Sequence, residues 1–437
     1  MAKVFPFRPY RYTAKAGPAT KLVSQPYDKI PAALQEQYYR SSPYNVIRVI
    51  KGKEEPSDGD SNNVYTRAAA TLEQWIAEGI LARDPEPGFY PYFQQFQHPD
   101  TGETFQRKGF VGLFQLEEYE ARVLHRHELT HSGPKLDRLK LARQTHAYFE
   151  QLFTLYDDPA FEVDGLLDQA AKGEPLLTAD EGGILHRVWS IGDPAAVAAI
   201  TAAMEPKKLL MADGHHRYET ALTFFRENPH LPGADKVMMT FVNMRGSGLV
   251  VLATHRVLDG LSGFDPASLR QRAQAYFDVE RLDSPAALKE KLDATAPDVC
   301  AIGGVFAGDP GAYLFTTKNS TAGSPVVAQK SAPEQGPSGT GDQLDALDVV
   351  VLHQALLGQA LGISEEDVRE LKNIRYVRGF QPAVEEVQTG KAQAAFLLRP
   401  VEVGKVAEIA FAGGVMPQKS TDFYPKLLSG LTMYRFG

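Results

Sequence analysis

A chain of 437 residues exceeds what one compact core usually accommodates, so its length predicts two or three lobes. Hydrophobic residues at 43% and charged residues at 23% are ordinary globular usage, enough to bury real cores without staples. The formal charge of −8 argues against a chain built to wrap nucleic acid, and one cysteine, Cys300, excludes an intrachain disulfide or a cysteine-based zinc site.

The opening MAKVFPFRPYRY lacks the apolar stretch of a signal peptide, and there is no apolar run of about 18 residues. No membrane partner is therefore expected, and the cytoplasm is the expected address. Pro6, Pro9, Pro26, Pro31 and Pro43 break the first segment into short extended pieces and turns. Asn45–Lys51 reads as a buried strand. A helix is predicted from Val64 to Glu78, with Tyr65, Ala68, Leu72 and Ile76 on one face and Gly79 to end it. Strands follow at Phe89–Gln97 and Gly109–Leu116, and Arg122–Thr130 reads as extended. Ser132-Gly133-Pro134 opens a helix predicted to reach Gln151.

The segment KKLLMADGHHRYETAL reads as a strand, Lys207–Ala212, a turn at Asp213-Gly214, and a helix to Arg226. Strands are predicted at Val237–Asn243 and Gly248–His255. Beyond a boundary near 258–262, helices are expected at Pro266–Tyr276 and Pro285–Thr295, with strands at Cys300–Phe306 and Ala312–Thr317. Lys318–Gln343 is rich in Gly, Ser, Pro and Gln and reads as an exposed loop, followed by a helix over Leu344–Leu361. The expected domains are 1–258 and 259–437.

The Asp213 turn carries the sharpest chemistry. The first turn of a helix presents unspent N–H groups and a partial positive charge, which together attract an anion. Gly214 lets the backbone approach closely, Arg217 can grip a phosphate with two parallel hydrogen bonds, and His215 and His216 add donors. The plain alternative is an Asp213 cap with incidental histidines. Phosphoryl transfer also needs a carboxylate for the hydroxyl proton, and Asp28 of QPYD and Glu128 are candidates beside Asp213. For Asp28 the alternative is local turn chemistry.

HRHELTH invites a metal reading through His125, His127 and His131, but its extended pattern does not give the helical spacing of a metal pair. No metal site is therefore assigned there. His127, with Lys135, Asp137 and Arg138 of the following helix, is instead expected to hold substrate, with a solvated helix face as the alternative. GGVMPQKST has the outline of a P-loop but the wrong glycine spacing; Lys419, Ser420 and Lys426 could still meet an anion. RGSG at Arg245–Gly248 reads as a hairpin turn, and His255-Arg256 as a basic pair ending a strand, which could line the same cavity as Arg217 but is usually just surface.

ADGHHRYETAL, with SQPYDKI, SGPKLDRL, ATHRVL and MPQKSTDFYPKLLSGL, resembles the bacterial and archaeal unknown-function family one thousand and fifteen, from Phe5 to Leu431. More distantly, the Gly-His-His-Arg core is similar to the phosphate-gripping motif of the ParB and sulfiredoxin superfamily. Gly214, His216 and Arg217 match the Gly, His and Arg of sulfiredoxin, while His215 stands at its reactive cysteine, so sulfinic-acid reduction is not implied. The superfamily's free-serine kinase matches all five residues, Asp213 through Arg217. The resemblance implies an α/β (α+β) fold: a mixed-sheet ParB/sulfiredoxin-like core with insertions plus a C-terminal α/β lobe. It further implies an ATP- or ADP-dependent kinase using Mg2+ and acting on a small hydroxyl compound such as free serine, with Asp213 orienting the hydroxyl or a metal-bound phosphate. The rivals are a nucleotide-binding regulator without turnover and a metal-dependent hydrolase. A homo-oligomer is compatible with each.

Overall fold

The computed structural model describes residues 1–128, 133–318 and 347–437. Residues 129–132, and all but Lys318 of the loop expected over Lys318–Gln343, lie outside the described residues. The chain forms two compact units. The first comprises Met1–Arg126, Thr130–Val250 and Phe423–Gly437; the second comprises His127–Leu129 and Val251–Asp422.

The first unit is built on a nine-stranded mixed sheet. Its strand order is Leu124–His125, Leu209–Asp213, Leu152–Tyr156, Lys236–Asn243, Thr104–Gln115, Tyr90–Gln97, Ile184–Val188 and Leu177–Glu181, with Val4–Phe5 added to Thr104–Gln115. The Leu209–Asp213 strand runs parallel to Leu124–His125 and antiparallel to Leu152–Tyr156. Lys236–Asn243 is buried along nearly its whole length, as a central strand covered on both faces must be. In the core, Phe110 stacks on Phe241 at 5.0 Å and meets Phe89 edge-on at 5.3 Å.

The helix at Val64–Ala77 begins at a capping box, with the Asn63 side chain accepting from Tyr65 and Thr66 amides and Thr66 Oγ1 accepting from Asn63 N–H. It buries Ala68, Leu72 and Trp75. The Asn45–Lys51 strand reading is overturned: Ile47–Ile50 is a short helix. Asn45 Oδ1 accepts from the Ile47 amide at 2.9 Å and bends the chain into it. Val46, Ile47, Val49 and Ile50 are all buried, so the apolar run carries no periodicity to tell strand from helix. The following helix, Gly133–Thr145, ends before the expected Gln151. His146 takes a positive φ of 49° and the chain turns extended through Ala147–Tyr148. Within 122–128 the strand is Leu124–His125; Arg122 has a positive φ of 54°, and Glu128 makes an isolated parallel bridge to Met416.

The second unit has a six-stranded, wholly antiparallel sheet in the order Phe277–Leu282, Ala312–Thr317, Ala301–Phe306, Ala394–Leu397, Thr254–Leu258 and Ile374–Arg378. Leu288, Leu292, Val384 and Val387 pack their helices on Val257, Val305 and Leu397. The helix expected to Leu361 is described from 347 onward, and Leu352–Ala360 is wound as a π-helix. No helix among the described residues is long and apolar enough to cross a membrane.

Candidate functional site

Leu209, Leu210 and Met211 are wholly buried, and Asp213 is the first side chain of its strand to emerge, with a third of it exposed. The register against Leu152–Tyr156 shifts between Met211 and Asp213, a bulge that re-aims the strand end. Gly214 then adopts φ 100° and ψ 20°, and its carbonyl accepts the Tyr218 amide at 3.0 Å to start the His215–Glu227 helix. That helix buries Tyr218, Ala221, Leu222 and Phe224. Asp213 is not the helix cap. Gly214, which has no side chain to cap with, holds that position.

A Cβ at Gly214 would stand 2.7 Å from Leu152 Cδ2 and 3.1 Å from Arg217 Nη2. The guanidinium is thus folded back over the glycine. Arg217 Nη1 donates to the Gln151 carbonyl at 3.0 Å, and its other N–H groups have no hydrogen-bond partner among the described residues. A charged fork with spare donors, at the start of a helix, is what a phosphate requires.

Carboxylates surround this fork. Asp213 Oδ1 accepts the Gly214 amide at 2.9 Å, and Oδ2 lies 3.4 Å from Lys426 Nζ. Burial works to raise the Asp213 carboxyl, but Lys426, then Arg217, Lys29 and His215, hold it well below the ordinary range. Burial likewise works against the Arg217 charge, while Glu150, Asp213 and Asp28 raise its pKa in that order. Asp28 therefore lies in the field of the same guanidinium as Asp213. Tyr27, beside it, is pushed up to about 12, chiefly by burial. Its amide donates to Glu150 Oε1 at 3.0 Å, and Ser429 Oγ donates to the same oxygen at 3.1 Å.

Lys426 is delivered by a buried polar array. Arg107 is 2% exposed and donates to the carbonyls of Tyr424 and Pro425 and to Gln94 Oε1. Gln94 Nε2 in turn donates to the Lys426 carbonyl at 3.0 Å. Tyr92 Oη lies 2.7 Å from Nδ1 of His186, which is wholly buried. Four buried polar side chains on neighbouring strands thus anchor the segment that brings an ammonium to Asp213.

With this geometry in hand, the chain can be set beside known proteins. The model of the family described as "Protein of unknown function (DUF1015)" matches residues 4–350. The chain belongs to the DUF1015 family. Curated proteins give no match. Among solved structures, a free serine kinase mutant in complex with AMP is similar at TM-score 0.36 and 11% identity, over 72% of this chain and 88% of that one. SbnI with C-terminal truncation from Staphylococcus aureus is similar at TM-score 0.33 and 10% identity, over 73% and 85%. A conserved hypothetical protein from Pyrococcus furiosus is similar at TM-score 0.32 and 11% identity, over 69% and 87%.

In this DUF1015 chain, Asp28, Asp213, Gly214, His215 and Arg217 gather in the first unit, while His216 is half-buried on the same helical turn. Lys135 pairs with Glu219 of the turn's helix. Asp137 accepts Tyr65 Oη at 2.9 Å and Arg138 Nε at 2.8 Å. Arg138 also donates to the Ile50 carbonyl at 2.7 Å, and its guanidinium lies 4.0 Å from the Tyr27 ring centroid. Glu150 is a central residue that the sequence reading missed. The helix expected to run through it gave no hint that an extended segment would turn it inward.

His127 and Glu128 belong to the second unit. There His127 Nε2 lies 2.8 Å from Thr421 Oγ1, and Glu128 Oε1 accepts the Thr421 amide at 3.3 Å. His255 and Arg256 are in the same unit and both are buried, so the surface reading of that pair is corrected. Arg256 Nε donates to His353 Nε2 at 3.2 Å, and burial lowers the Arg256 pKa to about 10. His125 Nε2 sits 3.0 Å from the Arg122 carbonyl. Among the described residues no three His, Cys, Asp or Glu side chains gather as for a metal ion.

Gly214→Ala is expected to cost roughly 1–3 kcal/mol, because it places a Cβ at positive φ against Leu152. Trp75 and Trp189, the two tryptophans of the chain, both lie in the first unit, so tryptophan-monitored denaturation reads this change. A pH dependence follows from His186. Burial, then the Arg107 charge, push it down to about 3, against about 6.5 for an unperturbed histidine. The unfolded chain therefore binds the extra proton, so this share of stability is complete above about pH 6.5 and is lost as the pH falls towards 3. Between pH 7 and 5 the native chain should lose about 2 kcal/mol more than His186→Gln, read by the same fluorescence.

Proposed function

We propose that this chain is a nucleotide-dependent phosphotransferase that moves the terminal phosphoryl group of ATP or ADP to a small hydroxyl compound, free serine being the model acceptor. The supporting observation is the Arg217 guanidinium, folded over Gly214 with spare donors and flanked by Asp213 and Asp28. Phosphoryl transfer asks little covalent chemistry of a protein; it needs fixed positive charge, positioning and a proton acceptor. Arg217, His215, His216 and the amides of the first helical turn supply the charge and the cradle.

The two carboxylates divide the remaining work. Asp213, held ionised by Lys426 and Arg217, is a weak proton acceptor and acts as a fixed negative charge that orients the hydroxyl. Asp28 takes the proton. The hydroxyl oxygen bonds to the terminal phosphorus, and the bond from that phosphorus to its bridging oxygen breaks. The electron pair leaves on the departing nucleoside diphosphate or monophosphate. Mg2+ commonly joins such sites through one or two carboxylates and the phosphates, and the Asp213 and Asp28 carboxylates suit that donor set. The ion would neutralise phosphate charge.

Thermal shift with ATP, ADP, CTP and GTP, followed by phosphorus NMR with serine, tests this. A nucleotide at a hundred times its Kd should raise stability by about 2.7 kcal/mol. Arg217→Met should abolish that shift, and Asp28→Asn should keep the shift while lowering turnover by roughly a hundredfold or more. A shift without phosphorylated product would favour a regulator, and phosphate release without an acceptor a hydrolase. No shift with any nucleotide would contradict the proposal.

A further inference from the structure

The first unit contains a cavity of 560 Å³ walled by Tyr27, Ile50, Lys51, Val64, Asp137 and Arg138, among others. Its size suits a small metabolite, since ligand pockets span roughly 300–1,000 Å³. Three of its walls come from the N-terminal turn, the short Ile47–Ile50 helix and the Gly133–Thr145 helix, segments the sequence does not connect.

The charges of this cavity are incompletely spent. Arg138 Nη1 is buried and has no hydrogen-bond partner among the described residues; it lies 3.6 Å from Glu150 Oε2. An ammonium carries three donors, and Lys51 Nζ gives two of them, to the carbonyls of Tyr27 at 3.1 Å and Ile30 at 2.6 Å. The third has no partner among the described residues. By contrast, both Asp137 oxygens are engaged, by Tyr65 and Arg138, and Lys53 is paired with Glu36. The buried Arg138 nitrogen is out of reach from the cavity, so Arg138 offers a bound anion its charge, and Lys51 offers the remaining donor.

The cavity also connects to the phosphate turn through shared residues. Glu150 accepts the Tyr27 amide, lies against Arg138 and raises the Arg217 pKa. Tyr27 walls the cavity, and its neighbour Asp28 lies in the field of Arg217. A compound seated here would have its anionic end at Arg138 and Lys51 and its hydroxyl towards Asp28.

We infer that this cavity is the acceptor subsite, and that it takes a small hydroxy compound carrying one anionic group, a carboxylate or a phosphate monoester. Its role as an acceptor subsite rests on the phosphotransferase function proposed above; the binding chemistry can be measured without turnover. The test is isothermal titration of the full chain with L-serine, D-glycerate and glycerol 3-phosphate, with glycerol as the uncharged control and ADP in a separate arm. At least one anionic compound should bind where glycerol does not, and which one distinguishes carboxylate from phosphate. Arg138→Gln should weaken that binding by roughly tenfold or more. Arg138 also supports the fold through the Ile50 carbonyl, so Val64→Trp, which fills the cavity and leaves every charge in place, is the second variant. It should abolish acceptor binding and keep ADP affinity within about threefold. The inference is overturned if no anionic compound binds, if glycerol binds as well, or if Val64→Trp binds the acceptor like the native chain. Loss of ADP binding together with acceptor binding in Val64→Trp would also overturn it, by assigning the cavity to the nucleotide. Failure of the native chain to bind ADP would instead count against the phosphotransferase proposal and leave the acceptor arm readable.

Discussion

The guanidinium of Arg217 lies folded over Gly214 at the point where a buried strand becomes a helix. Only a residue without a Cβ leaves room for it, since Leu152 and the guanidinium itself occupy the space a side chain would need. Because the guanidinium is fixed there, Asp213, Asp28 and Glu150 lie in one positive field, and the helix start adds its own partial charge. The fold answers with balance. Lys426 and Lys29 offset the carboxylates, and the buried Arg107–Gln94 pair anchors the segment that carries Lys426.

This arrangement separates two tasks that a site for charged substrates must perform. Asp213 is held ionised by its neighbours, so it contributes a charge whose sign does not change over any ordinary pH. Asp28 sits on a short turn with nearly half its side chain exposed, and the proposed function gives it the hydroxyl proton. Glu150 ties the two regions together by bonding the Tyr27 backbone on one side and supporting Arg217 on the other.

Much of this was legible in the residue order. The Val64–Ala77 helix announced itself by an apolar stripe ended by a glycine, and the strand, turn and helix around Asp213 by a buried run, a Gly and a second stripe. The segment around Ile47 was not legible, because Val46, Ile47, Val49 and Ile50 are all buried on either side of Arg48, and so short an apolar run fits a strand as well as a helix. Glu150 was hidden for a related reason. His146 breaks the preceding helix with a left-handed backbone that no apolar pattern marks, so periodicity carried the helix too far. Lys426 was visible as a cation, but its pairing with Asp213 spans more than two hundred residues and depends on Arg107, a buried charge no pattern predicts.

The most direct measurement is a crystal structure of the chain grown with ADP. The account predicts phosphate oxygens within hydrogen-bond distance of Arg217 and of the amides that open the His215–Glu227 helix. A nucleotide bound elsewhere, with Arg217 still covering an empty Gly214 turn, would contradict it.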